Sequence, residues 1–101
     1  MNYEELIFKL ITQSGDAKSF AMEAIQLAKN RDFDKARDCL NNASKQLELA
    51  HRQQTELIHM EAQGNKIEVT LLLIHAQDHL MNAITTKDLA SEIVDLYLDR
   101  K

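Results

Sequence analysis

The sequence has no proline, no tryptophan and only two glycines, Gly15 and Gly64, in 101 residues. A β-sandwich or barrel of this length needs many turns, and turns draw on Gly and Pro. An all-β fold is therefore unexpected, and a Gly-rich phosphate loop or dinucleotide-binding turn is excluded. Aromatic residues make up only 5%, so the core must be aliphatic. No basic surplus exists: the formal net charge is -4, which argues against a nucleic-acid partner. A single cysteine, Cys39, rules out an internal disulfide and suits a reducing compartment. The first residues carry acids where a signal peptide needs positive charge. The longest near-apolar run, Val69 to Ile74, is far short of the roughly 20 residues that cross a bilayer. A cytoplasmic protein of one domain, residues 1–101, is expected.

What is present is helical periodicity. Hydrophobic residues are 45% and charged residues 28%, a balance that a globular chain can bury and solvate. The pattern predicts three helices, at about 3–29, 32–63 and 66–98. Asn2 with Glu5 is an N-x-x-E capping pattern ahead of the first helix. Ile7, Leu10, Ser14, Ala17, Ala21, Ala24 and Ala28 then alternate steps of three and four, the seam of a left-handed bundle. Gly15 lies mid-helix, where it costs up to about 1 kcal/mol against alanine and reads as a close helix crossing. Asp32 is a good N-cap for the second helix, whose seam is Phe33, Ala36, Leu40, Ala43, Leu47, Ala50, Gln54 and Leu57. Gly64 stands where a glycine ends a helix, and Asn65 with Glu68 repeats the N-x-x-E pattern ahead of the third. Short connections between long helices predict an all-α, antiparallel up-down-up bundle.

The third helix is apolar on two opposed sides. Val69, Leu73, Ala76, Leu80, Ala83 and Val94 form one stripe, which faces the other two helices. Leu71, Ile74, Asp78, Met81 and Thr85 gather nearly opposite. A three-helix chain covers only one such face, so the second calls for another chain, most simply a further copy. His75 falls at the border of the two stripes, with His79 and Asn82 on the same side. It is expected half in an apolar wall and half in water, where another protein can reach it. A histidine so placed is more often a tolerated residue at the edge of a core than a functional one. Asp78 lies in the middle of the second stripe, and a carboxylate buried there needs a partner, a proton or a hard cation such as Mg²⁺. The bland reading is a carboxylate reaching solvent through a gap.

Other candidates carry less. His75 and His79 share the i, i+4 spacing of metal ligands, but the H-E-x-x-H signature is missing. His51 and His59 read as surface residues of the second helix, and Cys39 as a small core residue with no C-x-x-C or basic neighbourhood to activate it.

The segment Leu72 to Ala83, L-L-I-H-A-Q-D-H-L-M-N-A, resembles the active-site stretch of the enzyme IIA components of the lactose/cellobiose type. These belong to the bacterial phosphoenolpyruvate-dependent sugar phosphotransferase system. The core H-[AG]-Q-D-H-L-M reads here His75-Ala76-Gln77-Asp78-His79-Leu80-Met81. The S-G-D-A-K-S of Ser14 to Ser19, Asp32-Phe33, Ala50-His51 and Gln54-Thr55 are similar to the family as well. The resemblance implies a trimer, with His75 phosphorylated and Asp78 meeting its symmetry copies to bind one structural Mg²⁺. It implies HPr as donor and a cysteine of the IIB component as acceptor, with the membrane reached only through the IIC component. Ala76 and the Ser14-Gly15 pair are closer to the cellobiose/chitobiose branch than to the lactose branch.

Two functions from different classes therefore stand at this point. One is a phosphoryl carrier using His75, whose imidazole, with an ordinary pKa near 6.5, offers a neutral nucleophilic nitrogen at pH 7. The other is a non-catalytic helical oligomer, either metal-binding or an adaptor.

Overall fold

The computed structural model describes residues 2–100, so Met1 and Lys101 lie outside the described residues. Three helices make up the chain: α1 (Tyr3–Lys29), α2 (Phe33–Ala62) and α3 (Leu71–Asp99), with no strand among the described residues. They form a rod of 56 × 20 × 17 Å. α1 packs against both other helices, while α2 and α3 touch least.

Local chemistry sets the ends. Asn2 accepts a hydrogen bond from the Glu4 N–H at 2.8 Å, satisfying one free donor of α1. α1 stops at a left-handed residue, Arg31 (φ 63°). There the Arg31 N–H reaches the Ala28 carbonyl and the Asp32 N–H reaches that of Leu27, both at 2.9 Å. Gly64 (φ 92°) ends α2 with the same two bonds, to Glu61 and from Asn65 to Met60. Asp32 does precede α2, but its side chain makes no capping bond and pairs with Lys35 at 3.7 Å instead.

The third helix begins later than the sequence pattern predicts. Asn65 and Glu68 form no cap, and Gln63 to Thr70 make a connection longer than expected. Thr70 is the actual N-cap, accepting from the Leu73 N–H at 3.1 Å. The Glu68 carbonyl, which a helix starting at 66 would use internally, accepts from the Tyr3 hydroxyl of α1. Ile67 packs on the core, and β-branched Ile67, Val69 and Thr70 favour extended backbone. Val69, expected in the core stripe, is thereby left 70% exposed.

The core is built from small residues. Ala17, Ala21, Ala24 and Ala28 of α1 meet Ala36, Ala43 and Ala50 of α2 and Ala76, Ala83 and Ala90 of α3, all at 0% exposure. Alanine at so many facing positions lets the helix axes draw close. The larger buried side chains, Leu6, Ile7, Leu10 and Leu80, concentrate at one end with Ala50, Leu57 and Ala76. That end carries the histidine-bearing stretch of α3 and gives it a rigid backing.

Candidate functional site

His75 sits in the second turn of α3 with its ring exposed to water. The next residue, Ala76, and Leu80 are fully buried, so the backbone under the imidazole is fixed by the leucine-rich end of the core. His75 is expected at the edge of a subunit interface, and in the single chain it is open to water. A turn further on stands His79. The two rings stack with centroids 5.6 Å apart and planes 14° from parallel.

His79 is half-buried because α1 lies against it. The meeting point is Gly15, where an added Cβ would stand 3.3 Å from His79 Nε2. The mid-helix glycine thus marks a close crossing, as the pattern predicts. Periodicity alone does not reveal that its counterpart is the second histidine.

Gln77 points the other way, toward α2. Its Oε1 accepts from Gln54 Nε2 at 2.7 Å, a part-buried bond between the two helices that otherwise touch least. Gln54 is the exception in an apolar seam; a polar residue at a seam position is the signal that a cross-helix partner exists. Asp78 is exposed in the single chain, and its carboxylate accepts from Asn82 Nδ2 at 3.2 Å. It stands among Leu71, Ile74 and Met81, which are 83%, 54% and 47% exposed. The second apolar face of α3 is therefore real and uncovered. Among the described residues, no three His, Cys, Asp or Glu side chains gather to hold a metal within one chain. His51 and His59 are exposed on α2, as expected.

Cys39 is buried, and its thiol pKa is raised by loss of water first and by the nearby Glu23 next. A thiol held protonated is a poor nucleophile, which keeps it out of the chemistry. No helix among the described residues is long and apolar enough to cross a membrane.

Fold and site together define an all-α, three-helix chain whose third helix presents an exposed, stacked histidine pair beside an uncovered apolar face. The sequence pattern of one family, described as "PTS system, Lactose/Cellobiose specific IIA subunit", matches residues 5–98. The chain belongs to this family of the sugar phosphotransferase system. It is similar to the lichenan-specific phosphotransferase enzyme IIA component of Bacillus subtilis, with 54% identity over 93% of this chain and 86% of that protein. Among solved structures, it is similar to the cellobiose-specific enzyme IIA from Bacillus anthracis, with a TM-score of 0.91 and 53% identity over 96% and 90% of the two chains. A chain in the solution structures of the chitobiose IIA–HPr complex of Escherichia coli is also similar, with a TM-score of 0.83 and 37% identity over 96% and 94%. The protein is thus a IIA component, a phosphotransferase protein that acts through a phosphohistidine. A non-catalytic metal-binding or adaptor role is not favoured.

Proposed function

We propose that the chain accepts a phosphoryl group from phosphorylated HPr on His75 and passes it to a cysteine thiolate of its IIB component. The observation that carries this reading is the exposed His75 ring on a backbone anchored by buried Ala76 and Leu80. Of the three exposed histidines, it is the one stacked on a second imidazole and bordered by the uncovered apolar face of α3.

A lone pair on a His75 ring nitrogen attacks the phosphorus as the bond to the donor imidazole breaks. His75 releases its remaining ring proton and the departing imidazole takes one up, so no proton is consumed overall. The second transfer forms a phosphorus–sulfur bond as the phosphorus–nitrogen bond at His75 breaks, and the departing imidazole takes up a proton in place of the one the IIB thiol gave up. Both exchanges are near-balanced, so alignment and a docking surface matter more than acid–base groups. Exposed Leu72 lies beside His75, off the face that carries Leu71, Ile74 and Met81, and offers apolar area for successive partners. The chitobiose relative's complex with HPr supports HPr as the donor here.

The uncovered face of α3 supports a homotrimer with Leu71, Ile74 and Met81 on the axis. Three Asp78 carboxylates would then converge. Carboxylate oxygens are hard ligands, and one Mg²⁺ held by them would offset their repulsion. Among the described residues of one chain, Asp78 is partnered by Asn82 and no metal-holding cluster forms, so this site needs the copies to assemble. Such a metal would be structural. Relatives named for lichenan, cellobiose and chitobiose support cellobiose or a related β-disaccharide as the transported sugar. A cytoplasmic location follows from this role, with the membrane reached through the IIC component.

Phosphorylated HPr with a radioactive phosphoryl group tests the acceptor. His75→Ala should fold and take up no label, because no other exposed imidazole has the same backing. Labelling of His75→Ala at the wild-type level would refute the assignment.

A further inference from the structure

We infer that Gly15 is a positioning residue for phosphoryl transfer: by lacking a Cβ it admits the His79 ring, on which the His75 ring rests. The inference builds on the reading of His75 as the acceptor.

Glycine in the middle of a helix is unfavourable, so its presence calls for a reason. The backbone supplies none, because Gly64 is the glycine with positive φ and Gly15 is ordinary helix. Space supplies one. A Cβ at Gly15 would meet His79 Nε2 at 3.3 Å, inside ordinary van der Waals separation. The obstacle is an imidazole wedged against α1, and it cannot yield without moving the ring stacked upon it.

That second ring is the functional one. The His75 ring makes no hydrogen bond among the described residues, and an exposed imidazole otherwise samples several χ1 and χ2 wells. Stacking on His79 at 5.6 Å and 14° is the contact that narrows this choice. In-line attack depends on where the ring nitrogen points, and a misplacement of about 1 Å costs roughly a hundredfold in rate. The chain of contact therefore runs from Gly15 on α1 through His79 to His75, and α1 reports on the acceptor without touching it.

The test is Gly15→Ala, with phosphorylated HPr as donor. Alanine is the better helix former, so the melting temperature should hold or rise. The turnover rate of labelling should fall about threefold to tenfold, in keeping with a shift of a few tenths of an ångström. KM for phosphorylated HPr should stay within about twofold, because docking surfaces are untouched. Ring-proton chemical shifts of His75 should move. With His79→Ala as background, Gly15→Ala should cause no further loss, since the residue acts through that ring.

Wild-type labelling rates in Gly15→Ala would overturn the inference. So would an equal further loss in the His79→Ala background, or a drop in melting temperature that His79→Ala does not restore. Each of these leaves His75 as acceptor intact; labelling of His75→Ala would instead remove the reading beneath it.

Discussion

Ser14→Ala should make the protein more stable. Ser14 is 0% exposed on α1, and its Oγ has no hydrogen-bond partner among the described residues. Stripping a hydroxyl of water without replacing the bond costs about 1–3 kcal/mol. Alanine also has the higher helix propensity, worth up to about 0.5 kcal/mol at an interior position. Against this stands the small void left by one oxygen. At about 24 cal/mol per Å³, a void of roughly 10–15 Å³ subtracts only about 0.3 kcal/mol. The net gain is about 1–3 kcal/mol. In a chain of this size each kcal/mol moves the midpoint by about 4–8 °C, so Tm should rise by at least about 4 °C. Thermal melting and urea unfolding at one fixed protein concentration give the answer, with a higher midpoint and an unchanged m-value. Ser14→Val is the matching control. It removes the same hydroxyl but adds a methyl group to a close crossing, and should lose about 1–3 kcal/mol relative to alanine. A loss of more than about 1 kcal/mol in Ser14→Ala would refute the reasoning and mean that the hydroxyl holds a buried water or a backbone carbonyl.

Gly64→Ala should cost about 1–2 kcal/mol in urea unfolding, because φ is 92° and an added Cβ meets nothing within 4 Å, leaving backbone strain as the whole effect. Sedimentation equilibrium of the wild type should return about three times the monomer mass; a monomer at micromolar concentration would end the trimer and the axial Asp78 together. If three Asp78 carboxylates share a cation, chelator should lower the wild-type Tm, while Asp78→Leu should melt at the same temperature with or without chelator and no lower than the metal-bound wild type. An unchanged wild-type Tm under chelation, with a strongly destabilised Asp78→Leu, would show that the carboxylate answers to a protein partner.

Much of this architecture is legible in the sequence. Every seam position on α1, from Ile7 through Ala28, is buried, because a long helix with small residues at steps of three and four has one way to pack. The second face of α3 is equally plain, since Leu71, Ile74 and Met81 cannot turn inward together with Leu80 and Ala83. The start of α3 is not legible, because a local N-x-x-E pattern competes with a long-range bond. Tyr3 lies far away in sequence, and its hydroxyl takes the Glu68 carbonyl out of the helix. The histidine motif stands out directly, but its supports do not. The Gln54–Gln77 bond and the contact of Gly15 with His79 join different helices, and helical periodicity gives a residue's face without naming what stands opposite.

The central claim is that the phosphoryl group resides on His75. The most direct measurement is nuclear magnetic resonance of the chain with ¹⁵N-labelled histidine, phosphorylated by phosphoenolpyruvate and the general phosphotransferase proteins. Of the four imidazoles, that of His75 alone should show phosphorus–nitrogen coupling, with His79 responding only as its stacked neighbour. Coupling at His79, His51 or His59, with the His75 ring nitrogens uncoupled, would contradict the account.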